Sequence, residues 1–279
     1  MHIGVSLPVR EMDSDLTAIR DFAQAAEGLG LTHLRIPDQI MRPGGGYVHE
    51  AMMMLSYIAG ITSTIELVPS VIILPVRQTV HFAKQAAELD TLSGGRVRLG
   101  IGVGESKEEY KYLNMDFSNR GERCDEQMML LKKLWTEEEI DFQGDFHTIS
   151  GACINPLPKQ RPIPMWIGAR STPSKRVIKR IAQHSDGWFV LCSPNDLGQI
   201  RDKIFAEAKK VGRQPDEFGQ EAGVAVVGPR EHEWRSRVSN WRSMGLSHLC
   251  LRTLGGNLSV SEHLTTLERV INEIPADAS

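Results

Sequence analysis

At 279 residues, 41% hydrophobic and 24% charged, with a formal net charge of -3, the chain has the apolar content for a large core and lacks the basic excess that selects nucleic acid or anionic membrane as a partner. That length suits one α/β barrel domain spanning 1–279 better than two small domains. The four cysteines, Cys124, Cys153, Cys192 and Cys250, make no Cys-x-x-Cys, so neither a zinc ribbon nor a disulfide scaffold is expected. The opening Met1-His2-Ile3-Gly4-Val5 lacks a basic leader followed by an apolar run, and no stretch is long enough to span a bilayer, so a cytoplasmic protein is expected.

In chain order, short apolar runs alternate with amphipathic ones, the rhythm of a parallel sheet covered by helices. Strands are predicted at 3–7, 33–37, 65–74, 97–101, 164–168, 188–191, 222–227 and 248–251, about the eight that a (β/α)8 TIM barrel requires. Helical stripes are Leu16, Ile19, Ala23 and Ala26, stopped by Gly30; Phe82, Ala86 and Leu89, stopped by Gly94; and Cys124, Met128, Leu131 and Trp135. Further helices are expected near 50–62, 173–184, 196–211, 231–243 and 259–273. Two insertions interrupt the alternation. After the fourth strand, 106–119 is a long polar connection carrying Tyr110, Tyr112, Met115 and Phe117; before the fifth, 140–149 alternates about Gly144-Asp145 like a β-hairpin.

Several positions have a chemical reading beside a plain one. Pro69 sits inside the third apolar run, and proline is confined in sheets to edges, first positions and bulges. Either the strand breaks stride at Pro69-Ser70 or it simply begins there. Gly102-Val103-Gly104-Glu105 closes the fourth strand, where glycines admit a ligand or a neighbouring strand and Glu105 faces the barrel mouth; the plain reading is a solvated acid. The glycine spacing fails the G-x-G-x-x-G dinucleotide pattern. Gly168-Ala169-Arg170-Ser171-Thr172-Pro173 ends the fifth strand with an arginine, two hydroxyls and a helix start at Pro173 after a Thr172 cap, which reads as an anion cradle or as ordinary capping. Asp38 after the second strand reaches the mouth or forms a turn; Arg120, Glu122, Arg123 and Glu126 read as a local ion-pair lattice. The nine histidines show no metal-ligand spacing and no Gly-x-Ser-x-Gly is present, so neither a metal site nor serine hydrolysis is expected.

Five segments together carry a resemblance: Leu89-Asp90-Thr91-Leu92-Ser93-Gly94-Gly95-Arg96, Gly100-Ile101-Gly102-Val103-Gly104-Glu105, Arg120-Gly121-Glu122-Arg123 with Glu126, Pro164-Met165-Trp166-Ile167-Gly168, and Ser185-Asp186-Gly187-Trp188. On them the chain resembles the bacterial luciferase-like flavin and deazaflavin oxidoreductases, and is most similar to their coenzyme F420-dependent branch. The resemblance implies a cofactor ring in the barrel mouth and its phosphate near the fifth strand. It implies a non-proline cis peptide at Ser70–Val71 as a backstop for the ring, contacts from Asp38, Gln39, Val103, Gly104 and Glu105, and a phosphate region at Gly168, Ala169, Arg170, Ser171 and Thr172. Many relatives have histidine where this chain has Gln39, and glutamine shuttles no proton near neutral pH. Glu105 is then the candidate acid, provided burial raises its pKa. The reading is hydride transfer between F420 and a small organic substrate in a homodimer. Its alternatives are an FMN-dependent monooxygenase fed by a separate reductase and a non-catalytic flavin-binding protein on the same barrel.

Overall fold

The computed structural model describes residues 1–12, 14–41 and 48–274. Its strands are β1 (His2–Ser6), β2 (His33–Ile36), β3 (Glu66–Pro69), β4 (Ile72–Ile73), β5 (Leu99–Gly102), the hairpin β6 (Ile140–Gln143) and β7 (Thr148–Ala152), then β8 (Met165–Gly168), β9 (Gly187–Val190), β10 (Gly219–Ala225) and β11 (His248–Arg252). Nine of them form one parallel sheet in the order β3-β2-β1-β11-β10-β9-β8-β5-β4. Because β3 and β4 are two halves of one interrupted strand, and Leu67 bridges Val97 just before β5, the sheet curls into the expected eight-fold barrel.

Around it run α1 (Leu16–Gly28), α2 (Ala51–Ala59), α3 (Thr79–Ser93), α4 (Lys107–Tyr112), α5 (Arg120–Thr136), α6 (Lys175–His184), α7 (Pro194–Lys210), α8 (Trp234–Ser243) and α9 (Val260–Glu273). Their ends follow local chemistry. The Asp15 carboxylate accepts from the Thr17 and Ala18 amides to start α1, and Gly94 ends α3 in the left-handed region at φ 79°. Of the expected stripes, Ile19, Ala23 and Ala26 of α1, Phe82, Ala86 and Leu89 of α3, and Cys124, Met128, Leu131 and Trp135 of α5 are buried in one continuous core between helices and sheet, whereas Leu16 at the start of α1 is 53% exposed. Among the described residues no helix is long and apolar enough to cross a membrane.

Three expectations need revision. The 106–119 connection is not an irregular loop throughout, because Ser106 accepts from the Glu109 amide and starts the short helix α4. α6 begins at Lys175 and not at Pro173, since Ser174 rather than Thr172 supplies the cap, accepting from the Val177 amide. Glu231–Glu233 forms a 3-10 turn ahead of α8. The glycine triplet Gly44-Gly45-Gly46 lies outside the described residues.

The barrel interior alternates very large with very small residues. A Cβ on Gly219 would sit 2.0 Å from the Trp166 ring, and one on Gly100 would sit 2.4 Å from the Pro69 carbonyl and 2.9 Å from Phe189. Trp166, Phe189 and Val68 form a small separate apolar cluster, with Val71 packed against it. These two aromatics pack together inside the barrel, below the carboxyl ends of the strands where sites on this fold are built.

Candidate active site

The rim is built where the third strand is interrupted. Pro69 ends β3, β4 resumes at Ile72, and the Ser70–Val71 bond between them is cis. The break at Pro69-Ser70 is therefore real, and the strand does not begin there. The Ser70 amide donates to the Ile36 carbonyl, while its hydroxyl accepts from the Arg35 guanidinium. Val71 is thereby directed across the rim toward β5 and β8. A Cβ on Gly102 would stand 2.6 Å from Val71 Cγ2, and one on Gly168 would stand 2.9 Å from Val71 Cγ1. Those glycines are small because Val71 occupies the space that a side chain would need.

Beyond Gly102 the chain turns at Gly104, whose φ is 68° and whose added Cβ would meet Ile73 Cγ2 at 2.8 Å. Val103 offers its carbonyl to the Tyr110 hydroxyl at 2.6 Å, and Tyr110 packs edge-on against Phe117 at 5.2 Å between ring centres. Burial pushes the Tyr110 phenol well above its ordinary value, so it acts here as a donor. Glu109, 2% exposed, accepts from the Ile40 and Met41 amides at 3.0 and 3.1 Å. The insertion after β5 is thus tied to the loop after β2, and the two together wall one side of the mouth.

The predicted site residues divide. Val103, Gly104, Glu105, Gly168 and Arg170 come together across β5 and β8, and Arg170 Nε lies 2.6 Å from Glu105 Oε1. That pair is open to solvent, with Glu105 66% and Arg170 70% exposed. The burial that an acid role for Glu105 required is absent. Ala169 is buried behind the pair, and Ser171 and Thr172 are exposed on the loop that follows. Gln39 is half-buried. Asp38 takes a structural place: its carboxylate is 1% exposed, accepting from Arg77 at 2.8 Å and from the Ile73 amide at 3.1 Å. Burial raises its pKa despite the opposing Arg77 guanidinium. It ties the ends of β2 and β4 together beneath the mouth.

Sequence reasoning missed a charged layer inside the barrel. Glu221 on β10 accepts from Arg35 Nη1 at 2.8 Å and from Arg98 Nη1 at 2.9 Å, and Arg98 Nε also reaches Glu66 at 2.8 Å. Despite its burial, the surrounding His33, Arg35 and Arg98 hold the Glu221 carboxyl well below the usual range. Arg35 stacks on Phe189 with Cζ 4.6 Å from the ring centre, and Arg98 on Trp166 at 4.1 Å. The chain of contacts Glu221–Arg35–Ser70 supports the interrupted strand from below. The cue was available: Arg35, Glu66 and Arg98 stand inside otherwise apolar strands, where a charge needs a partner. His33, Glu221 and Cys250 have ligand atoms within 4.8 Å of one another. The two guanidiniums already hold both Glu221 oxygens, and burial pushes the Cys250 thiol up to about 12, so the group serves as an ion-pair network.

Residues 1–255 match the family model for luciferase-like monooxygenases. The chain belongs to that family. It is 26% identical over 267 residues to an F420-dependent glucose-6-phosphate dehydrogenase of Amycolatopsis mediterranei, covering 92% of this chain and 77% of that protein. Its fold is that of a monooxygenase from Streptomyces bottropensis, at a TM-score of 0.84 and 18% identity over 98% of both chains. It is also that of an F420-dependent secondary alcohol dehydrogenase bound to an F420–acetone adduct, at 0.81 and 16% identity over 99% of both.

Proposed function

We propose that this family member is an F420-dependent oxidoreductase acting on a small organic substrate. The observation that carries the reading is Val71, keyed between Gly102 and Gly168 and packed on the Trp166 and Phe189 cluster, an apolar side chain held in one position where the third strand is interrupted. Beside it, Arg170 is an exposed cation suited to a phosphate. These residues suit a flat heterocycle with an anionic tail: Val71 would back the ring, Val103 and Gly104 would border it, and Gly168 to Thr172 would hold the phosphate. When bound, F420 supplies the hydride chemistry. The chain's own residues bind and orient it, and the Glu109-anchored walls limit water entry. Glu105 acts as the counter-charge that holds Arg170 in place, and a phosphate would take over that partnership.

The test is fluorescence titration of the purified chain with F420 and with FMN. Binding of F420 alone is the expected result, and binding of FMN alone would overturn the proposal. The likeness in fold to a monooxygenase favours one second reading, reduced FMN with oxygen. Oxygen consumption that depends on an added flavin reductase would identify it.

A further inference from the structure

A second concavity opens on the same rim one strand beyond Arg170. It follows β9, which pairs with β8, and encloses about 430 Å³, within the range of small-molecule sites. Leu191 and Trp241 form apolar walls, Ser193 and the start of α7 close one side, and Arg230, Arg237 and Asn240 bring polar groups from the other.

The electrostatics of this cavity are one-sided. Arg230 donates through Nε to Glu233 at 2.8 Å, which balances its charge in part. Arg237 is half-buried and makes no ion pair or hydrogen bond among the described residues. Its pKa is lowered first by burial and then by the neighbouring Arg230 and Arg252, with only Glu233 opposing. A partly desolvated guanidinium beside two further cations is a site that an anion would stabilise. At the lip, Leu191 is 63% exposed, a large apolar side chain beside the cationic wall. Ser193 leaves the N-terminus of α7 without a side-chain cap, because its hydroxyl donates to Asp196.

We propose that this cavity binds the anionic group, a phosphate or a carboxylate, of a molecule whose remaining part lies in the mouth beside Val71, with Arg237 as its first partner and Arg230 as its second. This deepens the F420 reading and rests on it for the rest of the ligand. The volume exceeds what a bare anion needs, and its apolar walls suit an attached organic portion. The anion belongs either to the substrate or to a charged tail of the cofactor.

Calorimetric titration of the cofactor-free protein with inorganic phosphate tests the site. Arg237→Gln should weaken phosphate binding about tenfold, Arg237→Lys should restore part of it, and Arg170→Gln, which alters the other anion loop, should leave this binding event in place. F420 titration of the same variants distinguishes the sources. Weakened F420 binding by Arg237→Gln assigns the group to the cofactor, and unchanged F420 binding assigns it to the substrate. Phosphate affinity equal in the wild type and both Arg237 variants, or no phosphate binding at all, overturns the proposal. If phosphate binds through Arg237 while the wild type takes up no F420, the anion site stands and the cofactor reading falls.

Discussion

The molecule contains the same chemical pairing, carboxylate with guanidinium, at two levels of one barrel. In the interior, Glu221 is fully buried between Arg35 and Arg98; on the rim, Glu105 and Arg170 are each about two-thirds exposed. Removing a carboxylate from water costs several kcal/mol, so the inner one persists because two guanidiniums and a histidine surround it, and neither arginine can leave without stranding a charge. The outer pair is screened and contributes about 0–1 kcal/mol. Burial therefore makes one assembly part of the scaffold and leaves the other free to exchange partners with a ligand.

The largest expected effect lies inside. Glu221→Gln leaves Arg35 and Arg98 buried without their shared counter-charge and removes the support beneath Ser70. Denaturant unfolding at pH 7 should show a loss of about 3–5 kcal/mol. The pH dependence has a definite sign. The folded carboxyl titrates well below its ordinary value of 4.5, so its stabilisation is fully present above that pH and fades as the pH falls further. The gap between variant and wild type should close in the same acid range. A gap that stays constant down to pH 2 would show that the charge contributes nothing. His248 adds to the acid sensitivity: burial, with Arg98 and His33 nearby, lowers it to about 3, so its contribution is present above 6.5 and is lost as the pH falls below that.

The barrel was legible because its signals are local: apolar runs of strand length, helical stripes and glycine stops each fall within a dozen residues. At the third strand the missing amide of Pro69 leaves two readings, an interruption or a strand start, and only the fold decides for the interruption. The roles of the glycines were not legible either. Gly102 and Gly104 read as admitting either a ligand or a neighbouring strand, and only the fold shows that Gly102 is small to admit Val71 from the turn between β3 and β4, as Gly100 is to admit Phe189 of β9. Glu221 was invisible for the same reason, since its partners are 186 and 123 residues away. Asp38 and Glu105 each follow a strand and each has a reading at the mouth beside a plain one, and only the fold shows that Asp38 is buried against Arg77 while Glu105 faces solvent.

An intermediate effect is expected at Val71, between the two levels. Gly168→Ala places a methyl 2.9 Å from Val71 Cγ1, and Val71 is itself held against Gly102, so it has no free direction of retreat along the rim. Overpacking of this kind costs about 1–3 kcal/mol, and displacement of Val71 should weaken cofactor binding as well. Val71→Ala in the same background relieves the clash. Thermal melts and F420 titration of both variants check this, and a single substitution that changes neither would show that Val71 does not back the ring.

The smallest effects belong to the rim pair, and they decide what Glu105 does. Arg170→Gln should change unfolding free energy by less than about 1 kcal/mol, because it removes only an exposed contact. It should nonetheless weaken F420 binding, since a phosphate loses its cationic partner. Glu105→Gln should be nearly silent in stability and should leave F420 binding intact or tighter, because Arg170 no longer has to exchange one anion for another. Its effect on turnover discriminates sharply: a counter-charge can be removed with kcat little changed, whereas loss of a general acid lowers kcat by about 10²-fold or more. With Glu105 open to water and already engaged by Arg170, a small change in kcat is the expected outcome. A drop of the larger size, with KM unchanged, would return this carboxylate to the chemistry and require the mouth to close over it during turnover.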